Sequence, residues 1–354
     1  MGIISKNMSA KYVGVIGAGS FGTVVANLLA ENTKVKLYTR SADKFKSIQS
    51  TRSNLGYKLH ENIEVSNSLE SIASECETLF PVIPSSGFRK MMKEFSPYLH
   101  PYHTMIHGTK GLDVTLPEGM TLDHNEIEFN RDNVKTMSEV IREESVVVRI
   151  GCLAGPNLAK EIYNRQPAAT VVASSFDSVI KEGQRLLRSD LFQVYGNKDL
   201  IGIELTGVLK NIIALASGAL NGLGYGENAR AMLISRGLVE MIYLGKELGG
   251  NLQSFIGLAG VGDLVATSSS TFSRNFTVGN RLAKGESIQE IIHSMNEVAE
   301  GVNTVKIVKK FAEHYGFRAP ITETLFKILD ETKSVEDGLT YLMKLPLNVD
   351  IDFM

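Results

Sequence analysis

The chain has 354 residues, too many for one ordinary core, and is expected to fold as two domains or three. Its 43% apolar and 21% charged residues exclude a disordered or fibrous chain, and a net charge of −2 gives no global field toward nucleic acid or an anionic membrane. Two cysteines, Cys76 and Cys152, exclude a disulfide framework.

The first eleven residues are polar and mixed, with no apolar core segment, and read as a frayed tail rather than a signal peptide. The expected location is therefore the cytoplasm. Next come short β-branched or aromatic runs at Tyr12 to Ile16, Val35 to Tyr38, Thr78 to Ile83 and Thr104 to His107. Further runs fall at Val146 to Ile150, Thr170 to Ala173 and Phe192 to Tyr195. Between the first two, Ser20 to Asn32 carries Phe21, Val24, Val25, Leu28 and Leu29 on one helical face. This alternation predicts an α/β domain with a mostly parallel sheet. The polar stretch from Asp113 to Asn133 reads either as an excursion over the surface or as a lid.

After about Asp199 the pattern becomes helical only, at Ile203 to Leu223, Ala229 to Leu248, Phe276 to Lys284, Ile288 to Ser294 and Asn303 to His314. The apolar stretch around Ile212 to Leu223 reads as too short to span a bilayer. A boundary at Asn197 to Gly202 follows, giving residues 1–200 as a dinucleotide-binding domain and 201–354 as an all-helical one. The cleft between them is the expected ligand site.

Gly17-Ala-Gly19-Ser20-Phe21-Gly22 fits G-x-G-x-x-G between a strand and a helix. In that context Gly17 permits the tight turn, Gly19 the approach of a pyrophosphate, and Gly22 close helix–strand packing. The helix N-terminus offers unpaired N–H groups to phosphates. Where an NAD-selective site usually carries an acid, this chain has Arg40, followed by Lys44 and Lys46, which suits the 2′-phosphate of NADP. Arg40 could instead stack on the adenine or be solvated.

Hydride transfer from an alcohol also needs a proton carrier, a group that polarises the carbinol oxygen, and a clamp. Lys210 and Asn211 lie in a helix apolar nearly all round, and burial beside another cation would bring a lysine toward neutrality. The alternative is a lysine snorkelling at a helix edge. Lys110 follows the strand ending at His107, where it could orient the oxygen and help lower the Lys210 pKa, or simply be solvated. Asp263 either caps a helix or fixes the lysine pair. Ser273-Arg274-Asn275 opens a helix and combines a guanidinium, an amide and a helix N-terminus suited to phosphate. His100, His103 and His107 lack an acid or cysteine to complete a metal set, so no metal is expected.

In order, the Gly17 fingerprint, Pro84-Ser85, Thr109-Lys-Gly-Leu, Gly155-Pro-Asn-Leu-Ala-Lys-Glu161, Leu209-Lys-Asn-Ile-Ile-Ala214, Gly260-Val-Gly-Asp-Leu264, Ser273-Arg-Asn275, Val298-Ala-Glu-Gly301 and Pro320-Ile-Thr-Glu resemble the bacterial glycerol-3-phosphate dehydrogenases. The resemblance implies a Rossmann-type domain followed by an all-α domain of the 6-phosphogluconate dehydrogenase C-terminal kind. It also implies reversible conversion of dihydroxyacetone phosphate to sn-glycerol 3-phosphate with NAD or NADP, feeding phospholipid synthesis. Lys210 would carry the proton, with Lys110 and Asp263 beside it. Lys110, Gly155, Asn157, Lys210, Asn211, Asp263, Ser273, Arg274 and Asn275 would meet the substrate. Ser20, Phe21, Arg40, Lys110, Ala159, Arg274, Val298 and Glu300 would join the glycines at the cofactor. The helical domain implies a homodimer, with no nucleic-acid or stable membrane partner.

Two features depart from that pattern. The segment between Gly111 and Val146 is longer by roughly a dozen residues. Asn157 stands where small hydroxyl residues are common. A β-hydroxyacid or ketoacid reductase would need no phosphate clamp, and a nucleotide-sensing regulator would need no buried lysine.

Overall fold

The computed structural model describes residues 12–122, 124, 127–295 and 299–345. The first eleven residues, expected as a frayed tail, lie outside that range, as does Val298.

Eight strands form one sheet: β1 (Tyr12–Ile16), β2 (Val35–Tyr38), β3 (Ile63–Ser66), β4 (Cys76–Pro81), β5 (Thr104–His107), β6 (Arg149–Ala154), β7 (Ala168–Ala173) and β8 (Phe192–Asn197). Their order is β8-β7-β6-β5-β4-β1-β2-β3, and every pairing is parallel except β6 with β7. Side chains alternate between two buried layers. Tyr12, Ile16, Leu79, Met105 and Val171 face one layer, and Val13, Val15, Phe80, Ile106 and Val172 face the other. Covering both faces removes the water that would otherwise hydrate these apolar strands.

β1, β2 and β5 have the predicted bounds, but β6 starts at Arg149 rather than Val146. Val146 and Val148 are exposed, and the strand continues through Gly151-Cys152, a pair whose local signal suggests a break. Gly151 is there because a side chain would strike Ala173 O of the neighbouring strand, 2.8 Å from an added Cβ. β3 is an unpredicted edge strand, only four residues long.

The sheet half contains helix α1 (Ser20–Ala30) and the short α2 (Ala159–Tyr163). The helical half starts with α3 (Leu200–Gly222), followed by α4 (Glu227–Glu247), α5 (Asp263–Ser269), α6 (Arg274–Ala283), α7 (Glu300–Tyr315) and α8 (Pro320–Leu329). Among the described residues no strand follows Asn197. Sequence patterning missed α5 and α8, as well as helices at Leu252–Ile256 and Val335–Met343.

At 23 residues α3 is long and apolar enough to cross a bilayer, which corrects the reading from sequence that its apolar stretch is too short. Protein, not lipid, surrounds it, since 94% of its most apolar window is buried. Leu200 and Ile203 in its first turn pack in a sheet-side core, whereas Leu205, Val208, Leu209 and Ile212 centre the helical core.

The polar stretch after Gly111 runs over the surface of the helical half: of its described residues between Asp113 and Asn133 only Phe129 is buried. Its ends pair as a short ladder, Asp113–Val114 with Val134–Lys135. Leu112, Phe129 and Val134 enter the helical core, and Phe129 is 0% exposed. Lys310 on α7 donates to the carbonyls of Leu122 and His124 at 2.7 and 2.6 Å, tying the segment to that helix.

Candidate active site

The glycine fingerprint forms the turn from β1 into α1. Gly17 has φ +120°, and an added Cβ would lie 2.4 Å from Val82 O, so only glycine fits. An added Cβ on Gly22 would lie 1.9 Å from Gly17 O, which explains the tight packing of helix on strand. Gly19 is the N-cap of α1, with no side-chain cap and open space where its Cβ would stand. Bare N–H groups beside an open approach fit a dinucleotide pyrophosphate. Ser20 is the first residue of α1, and the Phe21 ring reaches toward the loop after β5, 3.2 Å from where a Gly108 Cβ would be.

Arg40 is exposed just beyond the end of β2. Lys44, grouped with it from sequence, instead donates to Ala18 O at 2.6 Å and braces the glycine loop. Asn54 supports the same carbonyl at 2.9 Å, a role no local motif announces.

Two lysines from different halves converge on one carboxylate. Lys110, after β5, lies 2.6 Å from Asp263 Oδ2 and donates to Gly155 O at 3.0 Å. Lys210, in the middle of α3, lies 2.9 Å from Asp263 Oδ1 and donates to Thr267 Oγ1. The Thr267 hydroxyl in turn donates to Asp263 Oδ1 at 2.9 Å. Lys210 is 4% exposed and Asp263 2%. Lys210 is therefore no snorkelling side chain, and Asp263, the first residue of α5 behind the N-cap Gly262, makes no capping bond and holds the lysine pair instead. Gly207, one turn before Lys210, leaves room for the Lys110 stem, whose Cγ lies 3.3 Å from an added Cβ.

Burial lowers the Lys210 pKa to about 8. Asp263 opposes that shift, and the charges of Lys110 and Arg274 add to it. Burial pushes Asp263 upward, but Lys110 and Lys210 outweigh it and hold the carboxyl below its ordinary value. The result is a cation that can release a proton near neutrality, beside an acid that stays ionised. Gly155 has φ +142° and aims its carbonyl at Lys110. Asn157 donates through Nδ2 to Thr170 Oγ1 at 3.0 Å, and its buried Oδ1 has no hydrogen-bond partner. Ala159 is the first residue of α2.

At the other end of the cleft, Ser273 caps α6 by accepting from Phe276 N, with Arg274 and Asn275 following it. Arg274 is exposed and close enough for its charge to act on Lys210. Asn275 is buried and accepts from Gly301 N at 2.9 Å, which leaves its Nδ2 for another acceptor. Asn211 is buried next to Lys210 on α3.

Glu300 opens α7 and accepts from Ser85 N at 2.8 Å and Ser85 Oγ at 2.6 Å. Sequence reasoning assigned no role to Ser85, Thr267 or Gly207. Pro84-Ser85 follows β4 as Thr109-Lys110 follows β5, and that parallel, with its place among the family-like segments, could have pointed to Ser85. Of the histidines, His103 contacts Ala73 O at 3.0 Å and His107 lies 3.0 Å from buried Glu204. Among the described residues no group of His, Cys, Asp or Glu could hold a metal ion.

Family comparisons agree with this layout. Residues 12–179 match the model for the NAD-dependent glycerol-3-phosphate dehydrogenase N-terminus, and residues 199–340 match that for its C-terminus. The chain is 39% identical to the glycerol-3-phosphate dehydrogenase [NAD(P)+] of Saccharophagus degradans, over 98% of this chain and 94% of that protein. It is also 39% identical to the enzyme of the same name from Teredinibacter turnerae, covering 96% of each. The crystal structure of the Coxiella burnetii glycerol-3-phosphate dehydrogenase superposes with a TM-score of 0.84 at 30% identity, over 94% of this chain and 99% of that one.

Proposed function

The chain belongs to the NAD-dependent glycerol-3-phosphate dehydrogenase family and is an NAD(P)-dependent oxidoreductase, and we propose that its cleft reduces dihydroxyacetone phosphate to sn-glycerol 3-phosphate in a reversible reaction. The observation that carries this reading is the pairing of Lys110 and Lys210, from opposite halves, on the single buried carboxylate of Asp263.

When bound, the reduced nicotinamide supplies the hydride. Lys210 is mostly protonated at neutral pH and gives a proton to the substrate carbonyl oxygen, then regains one from solvent. Lys110 orients that oxygen, and Asp263 holds both ammonium groups in place. Ser273, Arg274 and Asn275 clamp the phosphate at the N-terminus of α6, with Gly155, Asn157 and Asn211 lining the carbon skeleton. Gly17, Gly19, Ser20, Phe21 and Gly22 take the coenzyme pyrophosphate side, and Arg40 takes its 2′ position. Ala159, Arg274 and Glu300 complete the coenzyme contacts.

Arg40 favours NADPH, because a guanidinium pairs with a phosphate and an exposed one is free to turn toward it. We propose a domain boundary at residues 200 and 201, in the first turn of α3 and three residues after the last strand ends at Asn197. We also propose a cytoplasmic homodimer joined through the helical half, supplying glycerol 3-phosphate for phospholipid synthesis without stable membrane attachment.

The test is oxidation of NADPH and NADH, followed at 340 nm, with dihydroxyacetone phosphate and with an α-ketoacid. Turnover of the triose phosphate, faster with NADPH, is expected. Turnover of the ketoacid alone would replace this assignment with a carboxylate-directed reductase.

A further inference from the structure

The interaction between Ser85 and Glu300 joins the two halves of the cleft. Ser85 is 5% exposed and lies just after β4, in a loop that abuts the glycine turn: Val82 O and Ile83 Cγ2 lie 2.4 and 2.5 Å from where a Gly17 Cβ would stand. Both Ser85 donors, the backbone N–H and the hydroxyl, go to Glu300, one to each carboxylate oxygen, at 2.8 and 2.6 Å. Two charge-assisted bonds to both oxygens fix the plane of the carboxylate as well as its position.

The surroundings leave little freedom. An added Cβ on Gly111, the residue after Lys110, would lie 2.5 Å from Ser85 Oγ and 3.0 Å from Glu300 Oε2, so the backbone that carries Lys110 packs directly on the pair. Thr109 Oγ1 donates to Ile83 O at 2.7 Å and knits the two loops together. On the other side, Gly301 N is held by Asn275, and an added Gly301 Cβ would lie 3.0 Å from Asn211 O. The Glu300–Gly301 peptide thus bridges the loop beside the glycine turn and the neighbours of Lys210 and the phosphate clamp.

We propose that Ser85 is a positioning residue that acts through Glu300, aiming its carboxylate at the coenzyme side of the cleft and keeping the first turn of α7 in register with the loop carrying Lys110. This inference rests on the dehydrogenase reading for the identity of the coenzyme, but not on that of the substrate. Each Glu300 oxygen has a second lone pair, so the carboxylate can accept from a bound ligand while Ser85 holds it.

The experiment is titration of NADPH fluorescence with wild type, Ser85→Ala, Glu300→Gln and the double variant, with kcat and KM for dihydroxyacetone phosphate measured alongside. Ser85→Ala keeps the N–H bond and loses the hydroxyl bond, and the coenzyme Kd should rise roughly tenfold, as for one charge-assisted hydrogen bond. The KM for dihydroxyacetone phosphate should stay within about twofold, because Asn275 still holds Gly301 independently. In the double variant the Kd should be no higher than in Glu300→Gln alone, since both changes break one interaction. Ser85→Cys, similar in size with a weaker donor, should fall between wild type and alanine, and it serves if the alanine variant does not fold. An unchanged Kd in Ser85→Ala or Ser85→Cys, or losses that multiply in the double variant, would overturn the proposal. Coenzyme titration requires no turnover, so wild type inactive on dihydroxyacetone phosphate would remove the substrate assignment and leave this test standing.

Discussion

The protonation state of Lys210 makes a sharp prediction about pH. With a pKa of about 8, the ammonium form needed to deliver a proton dominates at pH 7 and falls to roughly a tenth at pH 9. The kcat/KM for dihydroxyacetone phosphate, which reports ionisations of the free enzyme, should be flat below pH 7 and about tenfold lower at pH 9. Oxidation of glycerol 3-phosphate needs the neutral amine and should rise through the same pH. Asp263→Asn then serves as the diagnostic perturbation. It removes the anion 2.9 Å from the ammonium, the interaction that most strongly opposes the downward shift. At an effective dielectric constant near 20, that charge pair amounts to roughly 6 kcal/mol, and about 1.4 kcal/mol corresponds to one pH unit. The retained amide oxygen and relaxation of Lys110 offset part of this, so the limb should move down by at least about one unit, to below pH 7. Stopped-flow measurement of NADPH oxidation from pH 6 to 10 would follow it. A flat profile between pH 7 and 9, or a limb that stays at pH 8 in Asp263→Asn, would remove Lys210 from proton transfer.

Other perturbations probe the rest of the site and the fold. Arg274→Ala should raise the KM for dihydroxyacetone phosphate roughly 10- to 100-fold, the loss of a hydrogen bond to a charged group, and an unchanged KM would refute the phosphate clamp. Phe129→Ala should cost about 3–5 kcal/mol in urea unfolding, because the ring is 0% exposed in the helical core, and a loss below about 1 kcal/mol would mean the segment only rests on the surface. Glu240 is buried, and burial raises its pKa to about 7 although Thr322 and Ile321 N donate to it. Because the folded value exceeds the unfolded one, its stabilising contribution is full below the unfolded pKa and is lost as pH rises through 7. Wild type should therefore lose about 1 kcal/mol between pH 6 and 8, and Glu240→Gln should flatten that slope; equal slopes in the two proteins would refute it.

Much of this architecture is legible in the chain because its signals are local. β1, β2 and β5 are short runs flanked by turn residues, and their side chains alternate between two apolar layers. β6 is less legible, because Gly151-Cys152 looks like a break until the adjacent carbonyl of Ala173 explains the glycine. α5 is too short, and α8 too dependent on tertiary packing, for periodicity to isolate either. In the candidate site Lys110, Lys210, Asp263, Ser85 and Glu300 each sit in a recognisable segment, but that Ser85 and Glu300, 215 positions apart, meet each other is visible only in the fold. The polar segment after Gly111 reads from its composition as the surface excursion it is, except at one residue. Its one decisive apolar residue, Phe129, sits among charged neighbours whose composition suggests solvent.

Helix α3 constrains how the enzyme can open. Its first turn lies beneath the sheet, and Lys210 stands ten residues along, roughly 15 Å from that root at the usual helical rise. A continuous rod, not a flexible linker, therefore fixes the distance between the Lys210 amine and the sheet. Any widening of the cleft therefore has to part contacts away from that rod, such as those of Ser85 with Glu300, while the axle keeps its length.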